Sequence, residues 1–206
     1  MIKKCFKLIL KGMVNEEIEM PFDEYKNFDE LIKVYSKNTG GILISMKVND
    51  KEIPMNYFEK VKNSFFEGGE VIELEFMPRE FVMKNLVKQS SDYIEKLKSS
   101  LNNLSKDLLA HHEEGKKVVV SIIEGISALL NIIIQLKTFT SEEFFDMEDI
   151  KKIEVVIKDI SQAFQDNDLE KLTEKIDYDL IVVLKILSKI FRDYEDLFNE
   201  SDDIEE

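Results

Sequence analysis

The sequence is poor in the residues that interrupt or cross-link a chain. It has no tryptophan, one cysteine, three prolines and seven glycines among 206 residues. Because Cys5 has no second cysteine to pair with, an intramolecular disulfide is excluded, and we predict a reducing, cytoplasmic compartment. No proline follows Pro78, and only Gly115 and Gly125 lie beyond it. That absence predicts long, uninterrupted helices in the second part of the chain.

Motifs that hold cofactors or activate nucleophiles are also missing. The sequence contains no G-x-G-x-x-G fingerprint, phosphate-binding loop, G-x-S-x-G elbow or H-E-x-x-H zinc motif. We therefore predict no cofactor and no catalytic residue. The first residues alternate as a strand does, and no apolar run precedes a cleavage site, so we predict no signal peptide. Close acidic pairs such as Asp177/Asp179 are expected by number alone among 42 acidic residues.

Positive charge is scarce as well. The chain carries 28 Lys and Arg against 42 Asp and Glu, a net charge of −14. About −3 of this falls on residues 1–78 and about −11 on the remainder. Nucleic acids and anionic membranes both require a basic surface, so we predict neither as a partner. A protein partner that is basic or amphipathic remains compatible with this charge.

Alternating strands dominate the first 78 residues. Each predicted strand carries apolar residues at every second position and is bounded by turn-forming residues. The predicted strands are residues 2–11, 16–22, 42–48, 52–53 and 71–76. Asn27 opens a helix that ends at Gly40-Gly41, since glycine readily adopts the left-handed conformation at a helix C-terminus. Between Pro54 and Phe66 we predict a short helix or an irregular crossing.

Two segments of this region carry a family resemblance. Residues 48–54 (VNDKEIP) and 66–74 (FEGGEVIEL) resemble the ending of β-grasp domains of the ThiS, MoaD and TGS type. Asp50 stands where that family has a hairpin glycine, and Gly69 stands where it has an aspartate. A sulfur carrier of that family ends in a free Gly-Gly tail, whereas Gly68-Gly69 precedes the last predicted strand. The resemblance therefore implies the fold without the carrier chemistry.

Beyond Pro78 the apolar residues recur at alternating steps of three and four. This spacing is typical of helices that pack nearly parallel in a bundle. The predicted seams are Leu97, Leu101, Leu104 and Leu108; Val119, Ile122, Ile126, Leu129, Ile133 and Leu136; Ile150, Ile153, Ile157, Ile160 and Phe164; and Ile176, Leu180, Val183, Leu187, Ile190, Tyr194 and Leu197. Residues 168–180 (DLEKLTEKIDYDL) also resemble a segment of uncharacterised Gram-positive bacterial proteins, which implies no activity.

Two features of the bundle region have alternative interpretations. Asp107 and His111 lie four residues apart on one predicted helix face and, with His112, are candidate metal ligands. A di-metal bundle needs ligands from several helices, so we favour a solvated helix end and no metal. Residues 118–136 approach the length of a membrane span, but Glu124 interrupts them, and we favour a buried bundle helix. On that helix, Ser121, Gly125 and Ala128 predict a strip where a neighbouring backbone approaches closely.

Together these patterns predict an α+β protein. A small β-grasp-like domain (1–78) precedes an antiparallel bundle of about four helices (79–199) and an acidic, disordered tail (200–206). We hypothesise a non-enzymatic interaction protein, either an adaptor or a chaperone-like assembly factor, with a homodimer as an open alternative. One rival is an enzyme with an acidic or metal-assisted site at the domain junction. The other is a β-grasp module that binds a small ligand, with the helices as a regulatory arm.

Overall fold

A computed structural model gives an α+β protein in which a five-stranded sheet precedes a set of helices, as the sequence predicts. The structure describes residues 4–110 and 112–202, with the backbone alone at 102, 112, 201 and 202. The strands are β1 (Cys5–Gly12), β2 (Glu16–Pro21), β3 (Ile42–Val48), β4 (Lys51–Glu52) and β5 (Val71–Met77). The helices are α1 (Phe28–Thr39), α2 (Phe58–Val61), α3 (Arg79–Ala110), α4 (His112–Thr140), α5 (Met147–Gln165), α6 (Leu169–Glu174) and α7 (Ile181–Asp202). A 3₁₀ turn (Met55–Tyr57) precedes α2, and a π-helical turn (Lys175–Leu180) joins α6 to α7.

The chain divides into two compact units, Met1–Val82 and Met83–Glu206. The division falls within the first turns of α3, four residues beyond the boundary predicted at Pro78. At the other end, α7 continues to Asp202, so the first residues of the predicted tail are helical. Residues 203–206 of that tail lie outside the described residues.

The sheet of the first unit has the strand order β2-β1-β5-β3-β4. The central strand β5 pairs parallel with β1, while the other neighbours pair antiparallel. Alternation along the strands turns one face towards α1 and the other outwards. The buried core residues are Phe6, Leu8, Leu10, Phe28, Leu31, Ile32, Met46, Phe66, Ile72, Leu74 and Phe76. One sheet face and one helix stripe therefore supply the core of this unit.

Local chemistry fixes both ends of α1. The side chain of Asn27 accepts a hydrogen bond from the Glu30 amide at 3.0 Å, and Glu30 accepts one from the Lys26 amide at 2.7 Å. This reciprocal arrangement satisfies amides that lack a partner inside the helix. At the other end Gly40 has φ 71° and its amide donates to the Ser36 carbonyl at 2.9 Å. The predicted start and stop of this helix are confirmed.

The hairpin between β3 and β4 turns on two residues with left-handed backbone, Asn49 (φ 51°) and Asp50 (φ 63°). β4 lies one residue earlier than predicted, because this two-residue turn fixes the register and pairs Lys51 and Glu52 with the end of β3. Ile53 adds one hydrogen bond, from its amide to the Met46 carbonyl at 2.9 Å.

Helices α3 and α4 run antiparallel. A Cβ placed on Gly115, near the start of α4, would meet Leu108 near the end of α3. A Cβ on Gly125, ten residues later, would meet the hydroxyl of Tyr93, which lies further back along α3. The close backbone approach predicted for this strip is therefore wrong: Gly125 contacts the Tyr93 side chain, and Ser121 and Ala128 are exposed.

The last helical segment packs antiparallel to α3 in the same manner. Lys98 donates to the Ser188 hydroxyl at 2.9 Å, and Ser105 donates to Asp177 at 2.5 Å. Polar pairs also join both ends of α4 to the connections that flank α5: Lys116 with Asn167 and Lys137 with Glu143. The connections before and after α5 are short, as is typical of antiparallel helical bundles.

The predicted seams of α3 and α4 are buried throughout, that of the last helical segment is buried except at Leu197, and that of α5 is shifted. In α5 the buried residues are Ile153, Val156, Ile160 and Ala163, and the predicted Ile150, Ile157 and Phe164 are half-buried. In α7, Leu184, Phe191 and Phe198 are buried beside the predicted rows, whereas Leu197 is half-buried. A helix between two neighbours buries two adjacent rows, so the most apolar row need not point to the centre.

Tyr194 of α7 anchors the connection between α4 and α5. Its ring is fully buried and meets Phe144 edge-on, with a centroid separation of 4.8 Å. Its hydroxyl donates to the Glu142 carbonyl at 3.1 Å. Burial, with smaller contributions from the charges of Glu143 and Glu142, raises the pKa of Tyr194 to about 12. The neutral hydroxyl is therefore the form that the fold stabilises.

Candidate functional site

A groove of about 520 Å³ opens between α3 and the last helical segment. Its floor is apolar and its rim is charged. The lining residues are Lys98, Leu101, Ile176, Asp177, Ile181, Leu184 and Lys185. All of them belong to the second unit, and the volume is large enough for several apolar side chains or a small ligand.

The π-helical turn shapes one wall of this groove. Wider i→i+5 hydrogen bonding inserts one extra residue per turn and rotates everything that follows relative to the preceding helix. Ile176 and Leu180 are buried, while Asp177 and Ile181 line the groove. Ile181 is 41% exposed. Single π-helical turns inside α-helices are rare and occur frequently at functional sites.

A charge network fixes the outer side of the same turn. Lys175 contacts Asp179 at 2.7 Å and Asp159 of α5 at 3.3 Å. The hydrogen bonds to Asp179 and then Asp159 raise the pKa of Lys175 above its usual value. These ion pairs link the π-helical turn to α5, and the carboxylates of Asp179 and Asp159 are both paired with Lys175.

The cations of the rim differ in their partners. Lys98 contacts Glu95 at 2.6 Å and donates to Ser188, and Asp177 accepts the Ser105 hydroxyl. Among the described residues, no hydrogen bond or ion pair engages Lys185. Lys185 is exposed and is therefore the cation on this rim that is available to an incoming carboxylate.

The metal candidates do not converge within the part of the chain that the structure describes. Asp107 is exposed near the end of α3. His111 lies outside the described residues, and His112 is described by its backbone alone. No group of three or more His, Cys, Asp or Glu side chains is placed to hold a metal ion among the described residues. The preference for no metal at this helix end stays a prediction.

Helix α4 is, among the described residues, the one helix long and apolar enough to cross a membrane. Its predicted seam is buried in the bundle, although only 28% of the most apolar window is buried. Val118, Val120 and Ile134 are exposed among its apolar residues. A core helix satisfies the same length and composition criteria, so the preference for a bundle helix over a membrane span stays a prediction.

Comparison with known proteins locates the groove within a family. Residues 85–190 match the family described as Domain of unknown function (DUF8042). The match covers just over half of the chain. The chain belongs to this family. Every residue that lines the groove lies within the DUF8042 match.

The other comparisons add little. The search of curated proteins found no match. One similar solved structure, the crystal structure of ATBAG1 in complex with HSP70, is 15% identical and covers 95% of this chain and 96% of that chain. Its TM-score is 0.24, which supports no argument about fold or function.

Sequence reasoning did not select the residues of the groove as a set. The apolar pattern places Leu101 and Ile176 in predicted seams, and Asp177 belongs to an acidic pair that is expected by number alone. The π-helical turn has no sequence signature, because it arises from the balance between packing rows on either side of it. The sequence feature that points to the groove is the pair Lys98 and Lys185, two cations next to apolar helix stripes in an acidic bundle.

Proposed function

We propose that this DUF8042 protein is a non-enzymatic interaction protein, an adaptor or assembly factor, that binds an amphipathic helix of a protein partner in the groove between α3 and α7. The observation that carries the proposal is an apolar floor bordered by Lys185. Helix-binding grooves bury the apolar face of the partner and use rim charges to set its register.

The charges on the rim of the groove indicate which kind of helix would bind there. Lys98 and Lys185 face the groove against one carboxylate, Asp177, which already accepts the Ser105 hydroxyl. A partner helix with a carboxylate opposite Lys185 fits this distribution better than a uniformly basic one. The apolar side chains of that helix would cover Leu101, Ile181 and Leu184.

Site-specific photo-crosslinking tests the proposal. A photoreactive residue at Ile181, inside the groove, is expected to form a discrete adduct with a different protein in the native cells. The same residue at Val155 is the control, since Val155 is 57% exposed on α5 and does not line the groove. Equal adducts at both positions, or none at Ile181, would contradict the proposal. An adduct of twice the chain mass would instead support the homodimer.

Charge reversal in the groove then tests the recognition mode. Once mass spectrometry identifies the crosslinked helix, we expect Lys185→Glu to weaken its binding at least tenfold, because it places like charges together (roughly 1.4 kcal/mol or more). Lys189→Glu makes the same charge change one turn further along α7, at an exposed residue that does not line the groove, and should change affinity less. Titration calorimetry with both variants measures the difference. Equal losses for the two variants would indicate a general effect of net charge.

We also propose that the first unit is a β-grasp domain without sulfur-carrier chemistry. The element order, the parallel pairing of β1 with β5, and the packing of α1 across the sheet support this proposal. Gly68 (φ 88°) and Gly69 (φ 97°) form the turn before β5, and the Gly69 amide donates to the Cys5 carbonyl at 2.7 Å. ATP-dependent adenylation of the intact chain would contradict the absence of carrier chemistry.

A further inference from the structure

The outer edge of β3 is only partly covered. β4 pairs with Lys47 and Val48 alone, and the amide of Ile53 reaches the Met46 carbonyl. Between Ile42 and Ser45, no strand pairs with this edge in the described ranges 4–110 and 112–202. Exposed strand edges present backbone groups that pair readily with another extended segment.

A groove of about 500 Å³ runs beside this edge. It lies wholly within the first unit, at the C-terminal end of α1. Its apolar lining comprises Ile32, Ile42, Leu43, Met55 and Phe58. Met55 is 41% exposed, and the neighbouring Ile44 is 36% exposed. A strand edge next to an apolar groove favours an extended peptide, whose backbone pairs with the edge while alternate side chains enter the groove.

The charges of the groove indicate what the peptide carries. Its charged lining residues are Lys37 and Arg79, both cations. Lys37 is exposed, and the described lining of this groove contains no acidic residue. A carboxylate on the bound segment would complement Lys37.

The β-bulge between Leu43 and Ser45 sets a limit on backbone pairing. Bulges interrupt a ladder and shorten the stretch that another strand can follow. A bound segment would therefore pair over a few residues only, and the apolar groove and Lys37 would supply much of its specificity.

From this geometry we propose a second docking site, distinct from the α3–α7 groove: the β3 edge binds an extended, apolar peptide segment that carries an acidic side chain near Lys37. The protein then has one binding surface in each unit, one for a helix and one for a strand. Two such surfaces agree with the proposed adaptor function, but the second site does not depend on the α3–α7 groove.

The test uses the full-length chain and a displayed library of random nine-residue peptides. Selected peptides are expected to alternate apolar residues and to contain aspartate or glutamate. In NMR titrations the best peptide should shift the amides of residues 42–46 in a saturable way. Replacing its central apolar residue with proline should remove that effect, because proline cannot donate to a strand edge.

Matched variants separate the groove from general charge effects. Lys37→Glu should weaken binding about tenfold or more, whereas Lys26→Glu, an exposed lysine outside the groove, should leave it within about twofold. Amide spectra of both variants check that the fold is retained. A library that yields no binder, a basic consensus, or equal losses for the two variants would each overturn the proposal. Lys185→Glu should not affect this peptide, so the two sites fail or succeed separately.

Discussion

The two units differ in how far they depend on unusual backbone conformations. Of the eight described residues with positive φ, six lie in the sheet unit, at its turns and at the end of α1: Gly12, Gly40, Asn49, Asp50, Gly68 and Gly69. The bundle has Ser141 and Asn167, each in a connection between helices. The sheet unit therefore depends on special backbone conformations at fixed positions. The bundle depends on rows of side chains.

This contrast extends to the two grooves. In the sheet unit the groove adjoins a strand edge that a short hairpin leaves partly unpaired. In the bundle it adjoins a π-helical turn that changes the direction of side chains in mid-helix. In both cases the proposed binding surface lies where the regular hydrogen-bond pattern of the unit is interrupted.

The largest expected effect tests the dependence on backbone. Gly12 has φ 89°, and a Cβ there would lie 2.1 Å from the Phe76 carbonyl oxygen, which is held in the sheet. Gly12→Ala should therefore destabilise the sheet unit by roughly 2–3 kcal/mol. Hydrogen exchange of peptides from β1 and β5 measures this loss.

Gly125→Ala is the matched change in the bundle. A Cβ there would lie 2.0 Å from the Tyr93 hydroxyl oxygen and within 3.0 Å of two ring carbons, but these atoms belong to a half-buried side chain and not to backbone held in a sheet. Alanine also favours a helix interior over glycine by roughly 0.5–1 kcal/mol. We therefore expect a net change within about 1 kcal/mol, measured by exchange in α4. Equal losses for the two substitutions would break the contrast between the units.

The second prediction concerns pH, and it sharpens the comparison because each unit contains a tyrosine, Tyr35 or Tyr194, whose pKa is raised chiefly by burial. Burial, followed by the influence of Tyr25, raises the pKa of Tyr35 to about 12, as burial does for Tyr194. An unfolded tyrosine loses its proton near pH 10. Both units should therefore hold this stability below about pH 10 and lose it as the pH rises towards 12.

Tyr194→Phe separates the two contributions. It should cost about 1 kcal/mol at neutral pH, since the hydrogen bond to the Glu142 carbonyl is lost. In this variant the stability of the bundle should fall much less between about pH 10 and 12 than in the unmodified protein, whereas the stability of the sheet unit should fall as before. Denaturant titrations across this range, followed by fragment-resolved proteolysis, give the measurement. An unchanged pH dependence in the bundle would show that Tyr194 is not the group responsible.

The smallest expected effect tests the turn that departs from the β-grasp pattern. Asp50 has φ 63° at the second turn position, where glycine carries no steric penalty. Asp50→Gly should stabilise the sheet unit by roughly 0.5 kcal/mol in chemical denaturation.

Asn49→Gly is the control at the adjacent position. It relieves the same kind of backbone conformation but removes the side-chain oxygen that accepts the Val71 amide at 2.9 Å. That variant should be destabilised. A gain from both substitutions would show that the Asn49 hydrogen bond contributes little.

Much of the fold followed from local patterns. The start of α1 at Asn27, its end at Gly40 and the α4 seam from Val119 to Leu136 were predictable because each depends on residues close in sequence. The shifted row of α5 was not, since Val156 is buried by neighbours on two sides. The grooves were likewise missed, because their residues are brought together from distant parts of the chain.

By itself the sequence determined the two kinds of hydrophobic period, the turn residues and the strongly acidic charge. These fix an α+β protein with strands first and helices after. Only the tertiary structure decided which helix rows face inwards, where α6 and α7 meet in a π-helical turn, and which part of β3 stays unpaired. Those outcomes depend on competition among neighbouring elements for the same buried space, and no local pattern records that competition.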